Sequence, residues 1–186
     1  MSAEAATVES LRPNVTHDEA LKAFGGSSWS GAATALMLGP LQSIADLYIP
    51  FWIYRARIRN AGVLQTRLVG MDAVSASLDL YEFPSLESLD DVVRVHTRNR
   101  ALAGVEEAEA RERLKLKVER LMFQSGFFKM RDLEITLERL PKELHVPYWV
   151  GFYGRGATAR IRVMDAVRRR MEGGRARRLV LEWLTR

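Results

Sequence analysis

The sequence predicts an α+β fold, in which an antiparallel sheet built from two similar β-hairpin units is covered by helices. The main observation is a motif that occurs twice: an apolar run containing Pro and Trp, followed further along by Met-Asp-Ala-Val. The other observations are that each run is apolar on both strand faces, and that intervening segments have helical periodicity. Repeated supersecondary units usually pack against one another, which constrains the architecture but names no activity.

The two copies of the motif correspond residue by residue. In the first copy, Leu47–Ile53 reads LYIPFWI and Met71–Val74 follows. In the second copy, Leu144–Val150 reads LHVPYWV and Met164–Val167 follows. A strand that is apolar on both faces is usually buried on both, so we predict two core hairpins inherited from a duplicated ancestor.

The length and composition fit a single domain. The chain has 186 residues, of which 47% are hydrophobic, and this is enough for a substantial core. We predict a flexible N-terminal tail over residues 1–17 and one α+β domain over residues 18–186. Within that domain the repeat units span about residues 47–83 and 144–172.

The segment before the first repeat is predicted to be helical. Asp18–Phe24 forms a short helix that is ended by a glycine pair, and Gly25–Gly31 forms a loop of small residues around Trp29. Ala32–Leu38 and Leu41–Ala45 are predicted to be two further helical pieces.

The first hairpin begins at the first apolar run. We predict a strand over Leu47–Arg59, a turn at Asn60-Ala61-Gly62 and a return strand over Val63–Val69. Leu78–Phe83 is predicted to be a third strand that ends at Pro84.

Two helices are predicted between the repeats. Ser85–Val95 is ambiguous between helix and strand, and its leucine and valine spacing favours a helix; Asn99–Gln124 is the clearest long helix. The long helix has favourable i, i+4 pairs, Glu107–Arg111 and Glu109–Arg113. Its apolar stripe consists of Leu114, Val118, Leu121 and Met122.

The C-terminal third repeats the hairpin and ends in a helix. Leu133–Leu140 alternates as a half-exposed strand that Pro141 is expected to break. The second hairpin is predicted to pair Leu144–Tyr153 with Thr158–Val163 through a tight turn at Gly154-Arg155-Gly156. A last helix opens at Gly173-Gly174, with an apolar face made by Ala176, Leu179, Val180, Trp183 and Leu184.

Cysteine usage and hydropathy bear on the compartment. The chain has no cysteine, which excludes disulfides and thiolate chemistry and fits the reducing cytoplasm. The N-terminus lacks the features of a signal peptide. Ala23–Ala45 is uncharged, but its apolar part is short and is interrupted at Gly39-Pro40, so we predict no membrane span.

The repeats suggest one candidate ligand site. Trp52, Asp72, Trp149 and Asp165 occupy equivalent positions, and symmetric carboxylates and indoles can converge around a ligand. The structural interpretation is favoured for both residue types. Tryptophans in apolar runs are usually core residues, and aspartate before small residues at a strand end usually accepts backbone N–H groups in a turn.

No catalytic, metal or cofactor pattern is found. His17, His96 and His145 are isolated, without the spacing of a metal site. Gly25-Gly26-Ser27-Ser28 lacks the Gly-Lys-Ser/Thr ending of a phosphate loop. We therefore assign no catalytic residues, metal ligands or cofactor, and whether the protein is an enzyme is left open, with a non-enzymatic role favoured.

The C-terminal segment is strongly basic. It holds ten arginines and three acidic residues between Arg155 and Arg186. Such a cluster binds phosphates or an acidic protein face, or it is simply a solvated helix surface, and no nucleic-acid motif accompanies it. The predicted basic patch consists of Arg168, Arg169, Arg170, Arg175, Arg177 and Arg178.

These observations favour a cytoplasmic, non-enzymatic binding or assembly module that acts through a protein partner or by forming a homo-oligomer. The first alternative is a small-ligand binder or enzyme with a site between the repeats. The second alternative is nucleic-acid binding through the C-terminal arginines, which is less favoured.

Overall fold

The computed structural model describes residues 4–26, 37–126, 131–154 and 159–185. Over these residues the fold is α+β, as predicted, with three helices and eight strands. The helices are α1 His17–Gly25, α2 Glu107–Gly126 and α3 Gly174–Leu184. The strands are β1 Ala6–Leu11, β2 Leu41–Asn60, β3 Val63–Asp72, β4 Tyr81–Phe83, β5 Val92–Thr97, β6 Glu134–Tyr153, β7 Arg160–Asp165 and β8 Arg170–Met171.

The strands form one sheet in the hydrogen-bonded order β4-β3-β2-β6-β1-β5, and β7 pairs with β6 and β8. Pairing is antiparallel for β2 with β3, β3 with β4, β6 with β7 and β7 with β8. The pairing of β1 with β6 is parallel. The sheet is therefore mixed but rich in antiparallel pairs.

The chain divides into two compact units. Unit 1 consists of Met1–Ile49, Val93–Ala101 and His145–Arg186, and unit 2 consists of Pro50–Val92 and Leu102–Leu144. The two long strands β2 and β6 each contribute to both units.

The β2–β3 turn has the form predicted from Asn60-Ala61-Gly62. Asn60 pairs with Val63, so the loop contains only Ala61 and Gly62. Both loop residues have positive φ, 50° and 78°, which is the pattern of a type I′ turn that follows the strand twist. The backbone N–H of Ala61 also donates to the carbonyl of Arg131 at 2.7 Å.

Unit 2 has a core between one sheet face and α2. Residues spaced two apart on β2 and β3 present a continuous apolar face to the helix. The helix covers that face with buried residues spaced four apart, as its periodicity predicts. The predicted stripe contained Leu121, whereas the buried stripe contains Ala110 instead. This core contains Trp52, Tyr54, Ala56, Ile58, Val69, Met71, Ala110, Leu114, Val118 and Met122.

Unit 1 has a separate core around α1. The helix has a capping box, in which Thr16 Oγ1 accepts from the Glu19 N–H and the Glu19 carboxylate accepts from the Thr16 N–H. Its Phe24 is fully buried against β6 and β7. The core comprises Val15, Ala20, Phe24, Tyr153, Met164 and Ala166.

The N-terminal segment differs from the predicted tail. Ala6–Leu11 forms β1, and Val8 and Leu11 are buried. Ser10 pairs with His145 on β6. Nothing local in the sequence indicates this strand, because its stability comes from a partner more than a hundred residues away.

Two segments that were predicted to be helical form mainly strands. Leu41–Ala45 is the start of β2, where Leu41 and Ile44 pack on the unit 1 core. Within Ser85–Val95 only Glu87–Leu89 forms a 3₁₀ turn, and β5 follows. Tertiary pairing and the β-branched Val92, Val93 and Val95 override the helical spacing in these segments.

Two other predicted boundaries are wrong. The long helix begins at Glu107 rather than Asn99. Its predicted ion pairs are present, with N···O distances of 3.3 Å for Arg111–Glu107 and 2.5 Å for Arg113–Glu109. Pro141 does not break the strand, because β6 runs through it; the φ of proline is compatible with extended backbone and only its N–H is missing.

Several predicted elements lie wholly or partly outside the described residues. They are the loop around Trp29, most of the Ala32–Leu38 helix and the Gly154-Arg155-Gly156 turn beyond Gly154. In the described part of the chain, no helix combines the length and apolar character needed to cross a bilayer.

Candidate functional site

Asp72 is fully buried at the end of β3. Its Oδ1 accepts from the N–H groups of Ser75 and Ala76 at 2.7 and 3.0 Å and from Ser75 Oγ at 3.0 Å, and its Oδ2 accepts from the Leu78 N–H at 2.8 Å. A carboxylate with both oxygens occupied by turn donors holds the loop in place. These contacts are the ones expected of a turn-forming aspartate.

Asp165 also accepts backbone N–H groups in a turn, after β7. It is fully buried, and its Oδ1 accepts from the N–H groups of Val167 and Arg168 at 2.9 and 2.8 Å. Four residues after each aspartate stands a non-glycine residue with left-handed backbone: Ala76 has φ 52° and Arg169 has φ 56°. Such φ values are uncommon outside glycine, so the two turns share an unusual local conformation.

The repeated prolines mark the ends of the two hairpin ladders. The carbonyl of Pro50 accepts from the Ala73 N–H at 2.8 Å, and that of Pro147 accepts from the Ala166 N–H at 3.0 Å. In a hydrogen-bonded antiparallel pair, a residue normally returns its own N–H. Proline has none, so it fits the last rung, where the partner strand turns away. Both prolines lie in strands, β2 and β6, that have neighbouring strands on both sides.

Within each hairpin, the tryptophan and the aspartate point to opposite sheet faces. Trp52 pairs with Met71, and the next rung pairs Phe51 with Asp72. The same register recurs in β6 and β7, where Trp149 pairs with Met164 and Tyr148 with Asp165. Because adjacent rungs alternate faces, neither hairpin brings its own Trp and Asp together in one pocket.

The two indoles have different neighbours. In unit 2, Trp52 Nε1 donates to Glu143 Oε2 at 3.1 Å, and the Arg139 guanidinium lies 4.4 Å from the ring centroid. This is a cation–π contact, and Arg139 is held by Glu107 at 2.6 Å. Trp52 therefore belongs to a core capped by charged side chains.

In unit 1, Trp149 Nε1 donates to the Val15 carbonyl at 3.0 Å. Its ring meets the His17 imidazole edge to face, with centroids 5.7 Å apart. The two indole environments therefore differ, because Trp52 contacts charged groups and Trp149 contacts α1 and its N-terminal flank.

Two buried tyrosines in the cores differ in their hydrogen bonding. Tyr153 Oη donates to the Phe24 carbonyl at 2.9 Å. Tyr54 Oη is buried and has no hydrogen-bond partner among the described residues. Burial raises the pKa of both hydroxyls, and at Tyr54 the charge of Glu107 raises the pKa further.

This contrast gives a matched pair of predictions. We expect Tyr54→Phe to leave the free energy of unfolding unchanged or to raise it by up to about 1 kcal/mol, since it removes an unsatisfied buried polar group. We expect Tyr153→Phe to lower the free energy of unfolding by about 1 kcal/mol, because the Phe24 carbonyl loses its donor. Urea unfolding of both variants measures the difference, and an equal loss in the two would contradict the hydrogen-bond assignment.

The predicted basic patch is partly neutralised by ion pairs. Arg169 pairs with Glu19 at 2.9 Å and also donates to the Asn14 carbonyl. Arg170 pairs with Glu172 at 2.9 Å. Arg177 and Arg178 are exposed on α3, and no ion pair is found for them within residues 4–26, 37–126, 131–154 and 159–185. The six arginines therefore do not act as one uniform cluster.

A pocket of about 440 Å³ lies in unit 1 along β7 and the start of α3. Of the residues that line it, only Arg177 belongs to a candidate site predicted from the sequence, and the Gly173-Gly174 pair opens the predicted last helix. The signal that was missed is the alternation of Arg160 and Arg162 on a strand shortly before the glycine pair. The lining consists of Leu38, Ala159, Arg160, Ile161, Arg162, Val163, Glu172, Gly173, Gly174, Arg177 and Leu181.

The described residues contain no group of three or more His, Cys, Asp or Glu side chains placed to hold a metal ion. No family model, no curated protein and no solved structure matches this chain. Its function therefore has to be argued from the residues themselves.

Proposed function

We propose that the chain is a non-enzymatic binding and assembly module that associates with a second copy of itself through the outer face of α2. The observation that supports this is a pair of exposed apolar side chains. Leu116 is 64% exposed and Phe123 is 44% exposed. They are seven residues apart, so both lie on the side of the helix opposite its buried stripe, as in the seam of a paired helix.

The charges around Leu116 fit a second copy of the same helix. Glu112 and Arg120 are exposed and lie four residues before and after Leu116. Neither forms an ion pair within the part of the chain that the structure describes. In an antiparallel pair of α2 helices centred on Leu116, each Glu112 faces the Arg120 of the other copy. A twofold contact of this kind is self-complementary.

Self-association predicts a dimer that a single charge disrupts. We expect Leu116→Glu to weaken the dimer by about thirtyfold or more, because it places two like charges at the centre of the contact. Sedimentation equilibrium over a range of protein concentrations measures the dissociation constant. Leu102→Ser is the matched control, since Leu102 is 60% exposed and lies outside the helix.

A charge exchange tests the antiparallel register. We expect Glu112→Arg to weaken the dimer by about tenfold, and the double variant Glu112→Arg with Arg120→Glu to restore it, since opposite charges again face each other. A wild-type chain that stays monomeric up to high micromolar concentration overturns the proposal. Equal weakening by the Leu102 control would show that the contact lies elsewhere.

We further propose that the two hairpins descend from an internal duplication. Support comes from the identical register around each tryptophan, the shared proline-to-alanine hydrogen bond and the left-handed residue four positions after each aspartate. The first hairpin has the longer ladder, from Phe51 to Asn60, whereas the second runs from Tyr148 to Tyr153. The two hairpins thus differ in length but agree in register around their tryptophans. A duplicated unit is expected to keep its packed end and to diverge at its turn.

The alternatives from sequence have weaker support. A ligand site formed by Trp52, Asp72, Trp149 and Asp165 competes with turn contacts that already occupy both aspartates. Nucleic-acid binding competes with ion pairs at Arg169 and Arg170. The absence of cysteine fits the cytoplasm, which we propose as the compartment.

A further inference from the structure

We propose that the unit 1 pocket binds a small organic anion that carries an apolar body. The inference does not depend on self-association, since the pocket residues belong to unit 1 and the proposed dimer face belongs to unit 2. It rests on three properties of the lining: charge, apolar surface and an open strand edge.

The charge of the pocket is positive. Arg160, Arg162 and Arg177 line it, against the single carboxylate of Glu172. That carboxylate is already paired with the guanidinium of Arg170, whose Nη2 lies 2.9 Å away. Three arginines therefore line the pocket, and the one acidic residue in its lining is already paired. Arginine is the side chain best suited to carboxylate, sulfonate and phosphate groups, because its planar fork donates two parallel hydrogen bonds.

The arginines are available to a ligand in different degrees. Arg160 and Arg177 are exposed, and neither forms an ion pair with any residue that the structure describes. Arg162 is half-buried and interacts with the Tyr153 hydroxyl, an interaction that lowers the pKa of Tyr153 against the larger effect of burial. Among the lining arginines, Arg160 and Arg177 thus have no ion pair with a described residue, and Arg162 adds a third positive charge next to Tyr153.

The apolar part of the lining favours an organic anion over an inorganic ion. Leu38, Ile161, Val163 and Leu181 are also among the lining residues. The pocket volume of about 440 Å³ falls within the range of roughly 300–1,000 Å³ typical of small-molecule sites. An inorganic anion would leave the apolar surface in water, whereas an organic anion covers it.

The pocket runs along an open strand edge. The β7–β8 pairing covers only Met164 and Asp165, and the Val163 carbonyl accepts from the Glu172 N–H at 2.8 Å. No described strand pairs with Arg160–Ile161 on that side. Because a strand residue directs its N–H and C=O to one side, the Ile161 backbone groups face the pocket together with Val163. Because this edge is open, consecutive residues of β7 can all line the pocket, although their side chains alternate between the two faces of the sheet.

The test uses anilinonaphthalenesulfonate (ANS), a fluorescent sulfonate with an apolar ring system. We expect saturable ANS binding to the full chain, about tenfold weaker in Arg177→Gln and in Arg160→Gln, because each loses one charge-assisted contact. Arg178→Gln is the matched control: Arg178 is exposed on the same helix but does not line the pocket. N-phenylnaphthylamine, a neutral analogue, should bind all four proteins with equal, low affinity.

The possible results of this test either support or overturn the proposed anion site. Selective loss in the two pocket variants, with unchanged thermal unfolding of the proteins, supports the site. Equal ANS affinity in wild type and both pocket variants overturns it, as does an equal loss in Arg178→Gln. Binding of the neutral analogue as tight as that of ANS overturns the anion part of the inference.

Discussion

Asp72→Ala is expected to lower the free energy of unfolding by about 3–5 kcal/mol. The substitution removes the acceptor of three backbone N–H groups, those of Ser75, Ala76 and Leu78. Ala76 and Leu78 are buried, so water does not replace the carboxylate. Each unsatisfied buried donor costs about 1–3 kcal/mol, which places this variant among the most destabilising single changes.

The equivalent change in the second hairpin should have a smaller effect. Asp165 accepts from Val167 and Arg168, and both are only half-buried. We therefore expect Asp165→Ala to lower the free energy of unfolding by about 2 kcal/mol. Urea unfolding followed by tryptophan fluorescence compares both variants with Glu182→Ala, an exposed control on α3 that should change it by less than about 0.5 kcal/mol.

A further variant, Asp72→Asn, distinguishes a turn-forming role of the Asp72 carboxylate from a role in a ligand site. If Asp72→Asn leaves unfolding unchanged but abolishes binding of a ligand, the carboxylate serves a site. If it lowers stability by about half as much as Asp72→Ala, the carboxylate serves the turn, because asparagine keeps one acceptor oxygen. No loss of stability in Asp72→Ala would contradict the hydrogen-bond account.

Elements fixed by local chemistry were predictable from the sequence. The turn at Asn60-Ala61-Gly62 is indicated by Asn and Gly, which are typical turn residues, and the end of α1 is indicated by its terminal glycines. The final helix opens at Gly173 as its periodicity indicates. In each of these, a few neighbouring residues carry the whole signal.

Elements that depend on distant partners were not predictable. β1 exists because it pairs with β6, and Leu41–Ala45 is a strand because Leu41 and Ile44 reach a core completed by the C-terminal hairpin. Strand propensity reflects packing context more than intrinsic preference. A single sequence therefore indicates elements that have a local signal but not strands whose partners lie far away in the chain.

The candidate sites show the same division. The sequence predicted that Asp72 and Asp165 accept backbone N–H groups in turns, and both do so. The unit 1 pocket could not be predicted from the sequence, because it combines residues of β7 with Leu38, far away in sequence, and with the start of α3. Charge counting found the basic segment but assigned Arg169 and Arg170 to it, and these prove to be in ion pairs.

Gly151→Ala is expected to lower the free energy of unfolding by about 2–3 kcal/mol. A Cβ at this position would lie 2.9 Å from Phe24 Cδ1 and 3.0 Å from Phe24 Cγ. Phe24 is fully buried, and its carbonyl accepts from Tyr153 Oη, so α1 cannot easily retreat. Overpacking of a closed core costs about 1–3 kcal/mol, and the strand glycine is there to admit the ring.

A double variant tests whether the ring is the reason. Phe24→Leu alone should be destabilising, but combined with Gly151→Ala it should cost less than the two single changes together, because the smaller side chain makes room for the methyl group. Gly174→Ala is the control glycine change: nothing lies within 4 Å of its added Cβ, and a gain of about 0.5–1 kcal/mol is expected from reduced freedom of the unfolded chain. Additive losses in the double variant would mean that α1 does not seat its phenyl ring on β6, and the unit 1 core described above would then be wrong.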